Sequence, residues 1–215
     1  MEKKFEKLDA NEYLKFYKSL YEARLINKHG CFVSLDKPEV YQSQTNFLLD
    51  DGAAGFSITN GDLVAVHKNP VIAEQKGYSH VAEEIMLVAI SNGAITLDCY
   101  GDYLANMYMQ YGFIPTGKMK FNKEYNPDWD ISIHGEPDVI ALCRAVKNSD
   151  ELLRLRENNQ MLPYSSIKEQ LPEYSDYIKM LKHRNKIFEM LNSKNMTYEQ
   201  VCNFVLSQIK QLNED

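Results

Sequence analysis

Apolar and polar positions change rhythm several times along this chain, and each change marks an element. Leu14, Tyr17, Tyr21 and Leu25 recur at helical spacing, which predicts a first helix over 9–28 with those four on its buried face. Asp9 stands three residues before Glu12 as a box-like start, and Gly30 is the stop. Asp50-Asp51-Gly52 reads as a turn. Gly55-Phe56-Ser57-Ile58-Thr59 then alternates with period two, Asn60-Gly61 follows, and Leu63-Val64-Ala65-Val66 returns, which is the signature of a tight hairpin. Val81, Ile85 and Val88 line a second long helix that Asn92-Gly93 ends. A buried strand over 95–99, a helix over 102–111 and a strand over 114–121 come next. A polar loop and a last strand over 138–143 complete a mixed α/β pattern.

The character changes at Asn148. Glycine disappears, and charges of both signs are evenly mixed. Tyr174, Tyr177, Ile178, Leu181, Phe188 and Leu191 fit one helix face, and Thr197-x-x-Gln200 is a capping box ahead of Val201, Phe204, Val205, Gln208 and Leu212. The chain therefore divides into an α/β domain, 1–147, and a helical C-terminal extension, 148–215. The apolar stripe of that extension must be buried, either on its own domain or against a second subunit or other protein partner. Its basic cluster, Lys179, Lys182, His183, Arg184 and Lys186, is diluted by acids and reads as a solvated face.

Composition narrows the function classes. A formal charge of −6 over 215 residues speaks against nucleic-acid binding and suits a cationic partner. Cys31, Cys99, Cys143 and Cys202 are far apart, with no C-x-x-C pair and no cluster of metal-ligand spacing. No apolar run approaches the ~20 residues that cross a bilayer, and the first residues lack a secretory core, so a cytoplasmic protein with reduced thiols is expected. There is no Walker loop and no Gly-x-Ser-x-Gly elbow.

The segment from residue 94 to residue 121 carries the candidate chemistry. Leu104, Met107 and Tyr108 lie on a short helix that Gly112 ends, and Phe113 anchors the next strand. Tyr108 is either the amphipathic member of a core stripe or a phenol able to donate a proton. Asp98 closes the preceding buried strand, where residues of α/β folds line ligand crevices. Glu74-Gln75-Lys76-Gly77-Tyr78-Ser79 precedes the central helix, whose N-terminus favours an anion; Gly77 also fits a plain strand-to-helix turn. The loop over 122–138 intersperses Tyr125, Trp129 and His134 among polar residues, a length and composition typical of functional loops.

The element order and the Tyr108-x-x-x-Gly112-Phe113 helix resemble the GNAT superfamily of acyl-CoA N-acyltransferases, over residues 50–145. Leu97-Asp98-Cys99-Tyr100 and the Phe121-to-Val139 segment are similar to a subgroup encoded in bacteriophages and prophages. The resemblance implies acetyl-CoA as cosubstrate and a primary amine as acceptor, with direct attack in a ternary complex. It implies that Val64, Ala65 and Val66 form a strand that splays at a bulge and pairs with pantetheine, and that Lys76, Gly77, Tyr78 and Ser79 cradle the diphosphate. Tyr108 would then protonate the leaving thiolate, Asp98 would be the acid–base or orienting group, and Tyr125, Trp129 and His134 would shape the acceptor site. Glu74 and Ser79 depart from the family's Gln/Arg and Gly/Ala, and Gly101 replaces a cofactor-contacting Asn. The Glu74 and Ser79 departures favour the alternative of a catalytically degenerate GNAT-fold binding protein of phage type that acts through protein–protein interaction.

Overall fold

The computed structural model describes residues 4–49, 52–194 and 196–212, without the side chains of 209–212. Asp50, Asp51 and the Leu212 side chain, named above, lie outside the described residues. The chain is mixed α/β. It separates into two compact units, Met1–Ala94 and Ile95–Asp215. The expected boundary at 147/148 falls inside the second unit.

The first unit contains β1 (Phe5–Lys7), α1 (Tyr13–Ile26), α2 (Pro38–Gln42), β2 (Thr45–Leu49), β3 (Ala54–Thr59), β4 (Asp62–Lys68), α3 (Pro70–Gln75) and α4 (Val81–Ser91). Its strands run in the order β1-β2-β3-β4, each antiparallel to the next. The β3–β4 hairpin turns through Asn60 at φ 51° and Gly61 at φ 82°. Two successive positive φ values match the twist of the strands they join.

α1 buries a different face from the one its stripe suggested. Phe16, Ser19, Leu20 and Ala23 point inward, while Leu14, Tyr21 and Leu25 are exposed. Apolar residues occur all round this helix, so spacing alone allows either face. The choice is made by Tyr41 and Leu48, against which Phe16 and Leu20 pack. At the other end, Gly30 packs so tightly on the Arg24 carbonyl that a Cβ would lie 1.9 Å from its oxygen.

The second unit contains β5 (Thr96–Tyr100), α5 (Gly101–Met109), β6 (Phe113–Met119), α6 (Ile131–His134), β7 (Val139–Arg144), α7 (Ser149–Glu157), β8 (Glu173–Tyr174), α8 (Tyr177–Asn192) and α9 (Tyr198–Leu212). β7 lies antiparallel to both β5 and β6, and β8 pairs with β6 in parallel. The C-terminal helices are integral to this unit. Met180 of α8 packs with Met119, Val139 and Ala141. The buried face of α8 is Met180, Arg184, Ile187 and Leu191, one step round from the expected stripe, and Ile178 is exposed. Arg184 and the half-buried His183 thus leave the basic cluster, which is not one solvated face. The capping box of α9 forms as written, with the Thr197 N–H donating to Gln200 Oε1 at 2.9 Å.

Candidate functional site

In the first unit, β4 carries a bulge. Gly55 faces His67 and Ser57 faces Val64, so Phe56 alone stands opposite two residues, Ala65 and Val66. Ala65 takes the extra turn at φ 53°, in the left-handed region that a side-chain-bearing residue seldom enters.

His67 holds this conformation. Its Nδ1 lies 2.9 Å from the Ala65 carbonyl, which can only accept, so Nδ1 bears the proton. Its Nε2 lies 3.0 Å from Ser19 Oγ on α1, and that hydroxyl also reaches the Gly52 carbonyl at 3.0 Å. The ring stands edge-on to Phe16 at 5.3 Å. Gly55 makes the room, because a Cβ there would lie 2.6 Å from His67 Cε1 and 2.8 Å from the Phe47 carbonyl oxygen. The histidine that ends this strand is therefore a buried tie between bulge and helix.

Burial pushes the His67 imidazole down to about 4, against the smaller upward pull of the Ala65 carbonyl. With the folded value below the unfolded 6.5, the unfolded chain takes up the proton first. Stability is intact above pH 6.5 and falls as pH drops toward 4, by up to about 1.4 kcal/mol per pH unit. His183, also shifted down by burial, contributes with the same sign. Urea midpoints should therefore decline less steeply between pH 6.5 and 5.5 in His67→Gln than in the parent; parallel curves would remove His67 as the source.

Beyond β4, the turn expected to cradle an anion has a defined local role. Asn69 caps α3, its side chain accepting from the Ile72 N–H at 3.0 Å. Gly77, at φ 65°, ends that helix, and the Tyr78 N–H reaches back to the Ala73 carbonyl at 2.8 Å. This is a Schellman stop. The connection between β4 and α4 thus contains a short helix of its own. Lys76 is the C-cap, and Tyr78, Ser79 and His80 lead into α4, with His80 at φ 58°. Nothing stands within 4 Å of a Cβ at Gly77. The first N–H groups of α4 lack intrahelical partners, as at any helix start, but Glu83 and Glu84 occupy the first turn.

In the second unit, Tyr108 lies on the inward face of α5, 7% exposed and edge-on to Phe113 at 6.5 Å. Burial raises its phenol well above the ordinary value, with Cys99 and Asp98 adding to the rise, so the hydroxyl keeps its proton at neutral pH. Asp98 on β5 pairs with Ala141 of β7 and is half-buried. Cys99 and Asp98, successive residues of β5, point to opposite faces, and Asp98 shares its face with Ala141 and Tyr100, on the side that α8 covers. Cys99 is pushed up by burial and by Asp98, and burial raises Cys143 to about 12 and Cys202 to about 11. None of these three thiols is primed as a nucleophile.

Trp129, expected at an acceptor site, is instead a core residue. It is 1% exposed, its Nε1 donates to the Gly135 carbonyl at 2.8 Å, and Tyr100, Phe121 and His134 surround it at 4.8, 5.1 and 5.4 Å. It pins the 122–138 loop to its own unit and leaves no ring face for a ligand. Half-buried His134 completes that pin, whereas Tyr125 is 62% exposed beside Tyr177. Sequence reasoning missed the bulge tie of His67, Ser19 and Gly55. The one available signal was a glycine facing a histidine across the hairpin.

No known family profile and no curated protein matches the sequence. Among solved structures, the chain is similar to the apo form of YjaB from Escherichia coli, at 11% identity over 67% of this chain and 98% of that one, with a TM-score of 0.40. It is also similar to an acetyltransferase of the GNAT family from Streptococcus pneumoniae, at 16% identity over 66% and 97% of the two chains, with a TM-score of 0.43. At these values the functional reading rests on the chain's own geometry. Among the described residues no helix is long and apolar enough to cross a membrane, and no group of His, Cys, Asp and Glu has the makings of a metal site.

Proposed function

We propose that this protein is a GNAT-like N-acyltransferase that uses acetyl-CoA to acylate a primary amine. The observation that carries the reading is the bulge at Ala65. It interrupts the β3–β4 ladder in the strand to which the family resemblance assigns pantetheine, and a buried histidine holds it in place. The residues on either side fit the group. The backbone of Val64, Ala65 and Val66 would pair with the pantetheine amides as an added strand does. The first N–H groups of α4 and the Lys76 charge would hold the diphosphate, because the N–H groups of Lys76, Gly77 and Tyr78 are engaged by the carbonyls of α3.

When bound, acetyl-CoA supplies the activated acyl group. The protein's own part is orientation and proton management. The Tyr108 hydroxyl, kept protonated by burial, would be the group that donates a hydrogen bond to the thioester sulfur.

A second reading, a GNAT-fold binding protein without catalysis, is favoured by the carboxylates of Glu74, Glu83 and Glu84 around the diphosphate seat. Calorimetry with acetyl-CoA separates the two. The enzyme reading expects micromolar affinity, weakened roughly tenfold or more in Ser79→Asp, which sets a further anion at that seat. No heat of binding by the parent would favour the second reading.

A further inference from the structure

One cavity, wholly within the second unit, is not used by the reading above. It has a volume of about 510 Å³ and lies where the end of β6 meets β8 and the single 3-10 turn Lys123–Tyr125. Met119 and Phe121 give it apolar surface, Tyr125 and Tyr174 give it rings, and Lys120 and Glu173 give it charge.

Its electrostatics select one sign of ligand. The Lys120 ammonium sits 3.1 Å from an Asp138 oxygen and 3.4 Å from a Glu173 oxygen. Two carboxylates share one ammonium, which leaves one negative charge in excess. On the adjoining turn Lys123 and Glu124 cancel. An anion entering here would meet Glu173 and Asp138, whereas a second ammonium would balance the set. The aromatic faces act in the same direction, since a cation over a tyrosine ring is attracted to its π-electrons.

The rings are held in place before any ligand arrives. Tyr174 stacks so closely over Gly117 that a Cβ there would lie 2.6 Å from its Cε2. Its hydroxyl is hydrogen-bonded to His183 Nδ1 on α8. Tyr125 stands against Tyr177, the first residue of α8, at 6.0 Å between ring centres. A wall fixed in advance loses little side-chain entropy on binding. β8, which supplies Glu173 and Tyr174, belongs to the C-terminal extension, so the extension builds half of this cavity.

We infer that this cavity binds a primary alkylammonium group, the charged end of the amine that the protein acylates. The role rests on the amine-acylation reading, but the binding itself does not. Glu173 takes the ammonium, Tyr125 and Tyr174 flank it, and Met119 and Phe121 take its alkyl chain.

The test is ligand-observed NMR titration of the full chain with 1,5-diaminopentane and, as the matched acid, pimelate, without acetyl-CoA. The diamine should bind and pimelate should not. Glu173→Gln and Tyr125→Ala should each weaken the diamine about fivefold, with thermal midpoints within a degree or two, because both side chains are largely exposed. Equal binding of diamine and diacid, no diamine binding, or unchanged affinity in both variants would overturn the inference. Acetyl-CoA affinity measured on the same samples keeps the two ideas apart. A protein that binds acetyl-CoA but no diamine loses this site and keeps the acyl-transfer reading, and the converse result does the reverse.

Discussion

Tyr108→Phe should lower kcat for amine acetylation roughly a hundredfold while leaving acetyl-CoA affinity and the thermal midpoint nearly unchanged. The ring is 7% exposed and packs on Phe113, and phenylalanine keeps that packing. What the substitution removes is one hydroxyl, in surroundings where burial, Cys99 and Asp98 all hold the proton on oxygen. A structural tyrosine would lose little activity by this change. Single-turnover rates isolate the acyl-transfer step from product release, and an unchanged rate there would take Tyr108 out of the mechanism.

Trp129→Ala should destabilise the second unit by about 3–5 kcal/mol, the range for removing a large buried aromatic. The indole is 1% exposed, touches three other rings and donates to the Gly135 carbonyl. Its loss empties a cavity and orphans that acceptor. Trp129→Phe should recover a good part of the loss, since the ring contacts survive and only the hydrogen bond goes. Chemical denaturation measures both. A drop in substrate affinity with stability intact would restore the residue to a ligand-facing role.

These two residues show what the sequence makes legible. Local features read correctly because their determinants lie within a few residues. Asn60-Gly61 requires two positive φ values, Thr197-x-x-Gln200 closes its own box, and Gly93 at φ 90° ends α4. Facing is harder to read. α1 offers apolar side chains in every direction, and only Tyr41 and Leu48, distant in sequence, select Phe16 and Leu20. Trp129 looked like a binding residue because its neighbours are polar, yet rings from β5 and from the end of β6 enclose it. The bulge at Ala65 was invisible to alternation, since one extra residue in a short strand leaves no periodic trace. β1 and β8, three and two residues long, exist only through their pairing with β2 and β6. The short α3 was readable in hindsight from Asn69-Pro70, a cap followed by a helix-starting proline.

The parallel pairing of β8 with β6 bears on how this protein can be dissected. A chain shortened to its first 147 residues would leave the outer edge of β6 unpaired at Lys118 and Met119. It would also strip α8 from Met119, Val139 and Ala141. Such a margin is a template for sticking to other chains. The last third of the polypeptide therefore covers an edge that would otherwise stand open, and residues 95–147 would lose part of their core without it.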